Sequence, residues 1–186
     1  MSTTTFRLEL ARRPAVAIVT AVVAGCSTLP TNELPAVPPA LAVRPGLSLT
    51  VAAHASGVQI YACRAAKGDP ARFDWALVAP EATLRDRAGK LIGNHYAGPT
   101  WQATDGSKVV GAVAARDPGP DASAIPWLLL NATATTGRGI FEHVEAIQRL
   151  HTVGGQAPTQ GCDAGQSEQT TRVPYTADYY FYVKSG

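Results

Sequence analysis

Charge is scarce in this chain, and its scarcity excludes several classes at once. Only 16% of the 186 residues are charged, against 46% hydrophobic, a balance that suits a packed core and not a disordered segment. No run of Lys or Arg occurs. The formal charge of +2 sits in residues 1–25, where Arg7, Arg12 and Arg13 face Glu9, and the remainder is balanced. A nucleic-acid partner is therefore excluded, because neutralising phosphates needs clustered cations. No glycine-rich dinucleotide fingerprint and no phosphate-binding loop is present, so no cofactor is expected. His54, His143 and His151 have no ligand spacing among themselves. His143 and His151 are eight apart and would share a strand face, but no third ligand is evident, so no metal is expected. The apolar run Ala15–Ala24 has ten residues, about 15 Å of helix, too short for a bilayer core of about 30 Å.

What that short run does resemble is an address. A basic flank, Arg12-Arg13, precedes it and small residues follow it, the layout of an export signal. The run ends Val23-Ala24-Gly25-Cys26, which is similar to the bacterial lipoprotein signal, in which cleavage before the cysteine leaves Cys26 to carry lipid. Several acyl chains at about 0.8 kcal/mol per buried methylene hold a protein on a membrane. An ordinary cleaved signal with an incidental cysteine is the alternative. Twin-arginine export is disfavoured by Pro14 and the missing flanking residues. Residues 26–45 are rich in proline without periodicity and read as an extended tether. The expected organisation is a signal peptide over 1–25, a tether over 26–45 and one β domain over 46–186, extracytoplasmic and joined to the envelope membrane through lipid, or secreted if Cys26 carries none. In that oxidising compartment Cys63 and Cys162 are an even pair and are expected to form one disulfide; a metal or catalytic thiol is the alternative.

Seventeen Gly and fourteen Pro imply many turns and few long helices. Strand-like alternation covers Leu47–Ala53, Val58–Arg64 and Phe73–Ala79, with turns at His54–Gly57 and Lys67–Pro70. A hairpin is expected around Asp86–Gly89. Gly98-Pro99 makes a corner before the short strand Thr100–Thr104, and Asp105-Gly106-Ser107 turns again. Lys108–Ala115 is a strand with Gly111 at a bulge. Ile125–Thr133, the most continuous apolar run, is expected to be a central strand. Ile140–Val153 fits a helix or a strand, and the context favours a strand. Val173–Val183 closes the chain as an aromatic-rich strand. Strands spaced about every ten residues describe an all-β fold, an antiparallel β-sandwich or barrel.

Seven ordered blocks carry a family resemblance: GVQIYAC (57–63), HYAGPTW (95–101), DGS (105–107), IPWLLL (125–130), IQRL (147–150), TVGG (152–155) and VPYTADYYFY (173–182). Over about residues 46–183 the chain resembles the domain-of-unknown-function 3455 (DUF3455) family of secreted bacterial and fungal proteins. The resemblance implies export and a mostly β domain. It implies no activity and no substrate.

The candidate chemistry lies in two places. Asn94–Gly106 gathers His95, Trp101 and Asp105 within thirteen residues. His95 can be a general base with Asp105 as its orienting partner, and Trp101 a platform for a flat ligand. Alternatively Asp105-Gly106 is an ordinary turn and Trp101 a core plug. In the last strand, Tyr175, Tyr179 and Phe181 share one face, and Asp178, Tyr180 and Tyr182 the other. One face is core. The other sets tyrosine beside aspartate, as a ligand surface would, though tyrosines also line half-buried strands. Arg149 interrupts an apolar run, either to pair with Asp178 or Glu81 or to face a ligand carboxylate. The expected function is a binding module for a small polar ligand or glycan, using Trp101, Arg149, Tyr175, Asp178 and Tyr180. The alternatives are a hydrolase built on His95 with an acidic partner and a structural envelope protein without ligand.

Overall fold

The computed structural model of the chain describes Met1 and residues 34–186. The export segment, Cys26 and the first part of the proline-rich stretch, through residue 33, lie outside the described residues. The rest is a closed barrel of eight antiparallel strands, each paired with its neighbour in sequence and the last with the first. These are β1 (Leu47–Ala66), β2 (Asp69–Arg85), β3 (Leu91–Tyr96), β4 (Thr100–Ala103), β5 (Lys108–Asp117), β6 (Trp127–Thr136), β7 (Ala146–Gly154) and β8 (Thr170–Lys184). The expected antiparallel sheet is thus a barrel and not a sandwich. Eight strands enclose a lumen that side chains can fill or that can hold one small ligand.

Closure changes several local expectations. Ile125–Thr133 has no central place, since every strand of a closed barrel has two neighbours. The turn expected at His54–Gly57 is absent, and β1 runs through it. Gly57 serves a close approach instead: a Cβ there would lie 2.1 Å from the Glu81 carbonyl oxygen of β2. Phe73–Ala79 and the segment after it likewise join into the single long strand β2. At Gly111 the ladder to β6 slips by one residue. A Cβ at Gly111 would press on the Trp101 ring at 3.1 Å, so the bulge expected there also makes room for the indole. His143 falls outside β7, because the strand begins at Ala146. It does not share a strand face with His151.

In an up-and-down barrel, alternate connections lie at opposite ends. The β2–β3, β4–β5 and β6–β7 connections share one end. The β6–β7 loop folds inward there, burying Phe141 and Val144 in the lumen core. Asp105 and Ser107 in the β4–β5 turn hold it. Ile140 N donates to Asp105 Oδ2 at 2.9 Å and Phe141 N to Ser107 Oγ at 3.1 Å. Above this plug lie Val51, Leu84, Val109, Ile147 and Phe181, with the Phe141 and Phe181 rings 4.5 Å apart.

The opposite end is fastened differently. Cys63 of β1 and Cys162 of the β7–β8 loop form the expected disulfide, with Cα atoms 6.0 Å apart and a sequence separation of 99. Closing a loop of that length stabilises by about 4–5 kcal/mol in the chain-entropy account. Tyr61 donates to the Gly155 carbonyl at 2.6 Å, and Trp75 Nε1 to the Gly161 carbonyl at 2.7 Å. Outside the barrel, a 3-10 turn at Pro39–Leu41 packs with Leu41 fully buried. Gln148 of β7 donates to the Leu41 carbonyl and accepts from the Tyr182 hydroxyl, each at 2.6 Å. The packed body therefore starts before residue 46. Among the described residues no helix is long and apolar enough to cross a membrane.

Candidate functional site

The lumen is polar toward the disulfide-bearing end. Inward positions of β1, β3, β4, β7 and β8 place Gln59, His95, Trp101, Arg149 and Tyr179 around one cavity of about 260 Å³. Its mouth is formed by β2 residues 77–80, the Gly98-Pro99 corner, and Val113 and Arg116 of β5. The β3–β4 corner is short because Gly98 takes a left-handed φ of +87°, and it brings His95 opposite Trp101 in the ladder. The two rings stack with centroids 4.5 Å apart and planes 9° from parallel. Tyr179 meets both edge-on, at 5.1 and 5.3 Å.

His95 Nδ1 lies 2.9 Å from the Thr100 carbonyl. A carbonyl only accepts, so Nδ1 carries the proton and Nε2 is the bare acceptor. Burial depresses the His95 pKa to about 3, opposed by the Thr100 hydrogen bond and reinforced by the positive charge of Arg149. The ring is neutral at physiological pH. Arg149 donates Nε and Nη2 to the Pro126 carbonyl at 3.2 and 2.8 Å, and no carboxylate pairs with it among the described residues. Its charge also works against the upward push that burial gives the hydroxyls of Tyr175, Tyr179 and Tyr61.

Among the described residues four buried side-chain polar atoms lack a hydrogen-bond partner: Gln59 Nε2, Trp101 Nε1 and the hydroxyls of Tyr175 and Tyr179. The two hydroxyls neighbour each other, and Arg149 neighbours Tyr179, closely enough to influence titration. By distance and angle neither hydroxyl completes a hydrogen bond. Buried donors left unpaired cost about 1–3 kcal/mol each. Three of these four side chains line the cavity, with Tyr175 buried on the same inward face of β8.

Of the sequence candidates, the fold brings His95, Trp101 and Arg149 together round the cavity, sets Tyr175 beside Tyr179 in the same lumen, and leaves Asp105, Asp178 and Tyr180 elsewhere. Asp105 lies in the turn at the plugged end, its carboxylate taken by Ser107 and Ile140, which also hold its pKa down. It does not line the cavity and does not orient His95. Asp178 and Tyr180 point outward from β8. There Asp178 accepts from His54 Nδ1 at 2.9 Å and from His151 Nδ1 at 3.0 Å, and Glu81 pairs with Arg172. Neither acid meets Arg149. Trp101 and Tyr175 are buried in the lumen and form no flat exposed platform. Among the described residues, no group of three His, Cys, Asp or Glu side chains can hold a metal.

Sequence reasoning missed Gln59, Tyr179 and Arg116 as site residues, and the apolar rim. Period-two alternation in Val58–Arg64 puts Gln59, Tyr61 and Cys63 on one face of the strand. Closure makes that face the inner one, and a glutamine pointing into a small barrel was the available signal.

No curated protein and no solved structure matches the chain. The family described as a protein of unknown function (DUF3455) matches residues 44–183, which spans all eight strands but the last residue of β8, so the chain belongs to the DUF3455 family.

Proposed function

We propose that this protein is an exported, lipid-anchored envelope protein whose barrel binds a small polar ligand. One observation carries the binding part of this reading. Gln59 Nε2, Trp101 Nε1 and the Tyr179 hydroxyl are buried, unpaired, and gathered round a single cavity that opens to solvent. Polar groups buried at such cost are met where a binding partner completes them. The anchor part rests on the Val23–Cys26 sequence.

The hydrolase reading has less support. No aspartate or glutamate lines the cavity, and an imidazole whose pKa lies near 3 is a weak base at neutral pH. A glycan platform has less support too, since Trp101 and Tyr175 are enclosed.

Differential scanning fluorimetry against a broad panel of small metabolites and sugars tests the binding reading. At least one compound raises the melting temperature of the wild-type domain and fails to do so after Gln59→Leu. A panel without any such compound leaves the structural alternative in possession. For the anchor, Cys26→Ser releases the protein from the membrane fraction; retention there defeats it.

A further inference from the structure

The cavity's chemistry narrows the ligand class. This inference rests on the binding reading above. We propose that the cavity takes the carboxylate end of a small amphiphilic organic acid, with Arg149 meeting the carboxylate and the apolar body lying against the mouth.

The lining is lopsided in charge. It holds two arginines, Arg149 and Arg116, and no acid. Every acid that engages a cation across the described surface does so with another partner, so no carboxylate among the described residues neutralises Arg149. Two of its N–H groups go to the Pro126 carbonyl, which leaves three of the guanidinium's five free. A guanidinium with free N–H groups in a water-poor site pairs best with a carboxylate, which accepts two parallel hydrogen bonds.

The lining is lopsided in hydrogen bonding as well. Gln59 Nε2 and Trp101 Nε1 can only donate, and they are part of side chains 2% and 1% exposed. The Tyr179 hydroxyl, on a side chain 1% exposed, can donate a third. Carboxylate oxygens accept from all of these, whereas an ammonium would leave the donors unpaired and face the arginines. His95 Nε2 and Gln59 Oε1 are acceptors in the lining, fit for a hydroxyl or N–H on the ligand.

The mouth is apolar where the floor is polar. Leu77, Val78 and Val113 stand 56%, 45% and 40% exposed on its rim. Exposed aliphatic side chains at a pocket entrance favour an apolar group lying over them, at about 25 cal/mol per Å² covered. Among the rim side chains only Arg116 could meet a sugar hydroxyl, whereas the aliphatic ones offer no partner. A cavity of about 260 Å³ admits a compact acid with its tail at the rim.

The test uses the soluble domain, residues 34–186, which form one compact unit, and ligand-observed NMR titration with hexanoate, hexan-1-ol, hexylamine, acetate and glucose. Hexanoate is expected to bind about tenfold or more tightly than hexan-1-ol, with hexylamine weaker still. Arg149→Gln, checked for wild-type circular dichroism, removes the preference for hexanoate over hexan-1-ol. The rim variant Leu77→Ser/Val113→Ser weakens hexanoate and leaves acetate unchanged. The wild-type probe series needs no variant, so a misfolded Arg149→Gln protein does not shelter the idea. If hexan-1-ol or glucose binds as tightly as hexanoate, the carboxylate assignment falls while the binding module stands. If hexanoate survives the rim variant intact, the amphiphile assignment falls. If none of the five probes and no compound of the broad panel binds, the cavity holds water only and both readings fall.

Discussion

The two ends of the same lumen are built on opposite terms. At the plugged end Phe141, Val144, Leu84, Val109 and Phe181 fill the barrel with apolar side chains, and the polar atoms of its turn are paired: Asp105 and Ser107 spend theirs on each other and on the β6–β7 loop. At the mouth, aromatic and polar side chains surround a cavity, and donors stay unpaired. Both ends belong to one closed ladder, so the backbone cannot account for the difference. The side chains do. One end is arranged for stability, and the other carries a destabilising arrangement that the plug and the disulfide hold in place. Where a stable scaffold tolerates such an arrangement, function is the usual reason.

Phe141→Ala gives the largest expected effect. The side chain is fully buried and packs with its ring 4.5 Å from that of Phe181. Its loss opens a cavity in the sealed end and lowers unfolding free energy by about 3–5 kcal/mol, read by urea denaturation. Ligand binding at the other end changes little, as expected for sites without shared partners. A loss below about 1 kcal/mol would mean that the plugged end is no better packed than the mouth, and the contrast would go.

The plugged end and the mouth were unequally legible in the sequence. The Asp105-Gly106-Ser107 turn and the cysteine pair follow from local chemistry and from counting, because few partners exist for each. Alternation sorted Tyr175 and Tyr179 from Asp178 and Tyr180, and the barrel keeps that sorting. What period-two alternation cannot say is which face is the inside. In β1 the more aliphatic set, Val58 and Ile60, looks outward, and Gln59 and Tyr61 look in. That choice is made by ring closure through the β1–β8 ladder, a pairing between residues more than a hundred apart. The same long-range closure draws Arg149 to His95 and takes Asp105 away, which sequence proximity had suggested the other way round. His54–Gly57 misled for a different reason: residues common in turns were there for close strand packing.

Acid sharpens the comparison by an intermediate amount. The His95 pKa falls from an ordinary 6.5 to about 3 in the folded barrel. Between those values the unfolded chain binds a proton that the native state refuses, so stability is fully present above about 6.5 and is lost as pH falls. Each pH unit in that window removes up to about 1.4 kcal/mol, or about 2.5 kcal/mol between pH 7 and 4.5. His95→Gln flattens the slope by that amount, measured as unfolding free energy against pH. The carboxyls of Asp105, Asp121 and Glu145, held low by their hydrogen bonds, act from about pH 4.5 downward, since a depressed acid begins to lose its stabilisation as pH falls through its unfolded value, and so fall outside the interval from pH 7 to 4.5. Equal slopes in the wild type and the variant would mean that the imidazole takes up its proton freely and that the mouth is as wet as bulk solvent.

The smallest effect has the opposite sign, and it separates the two ends most directly. Gln59 is buried with Nε2 unpaired. Gln59→Leu keeps the approximate volume and removes the orphan donor, so unfolding free energy stays level or rises by up to about 1 kcal/mol. At the plugged end no buried side-chain change to a smaller or less matched group can do that. The same substitution weakens ligand binding, because it deletes a donor the cavity presents. Denaturation and titration on one protein read both numbers together. A gain in stability with a loss in binding is the signature of a group kept for recognition. A clear loss of stability would mean that Gln59 is paired in solution, and that the mouth is an ordinary satisfied core.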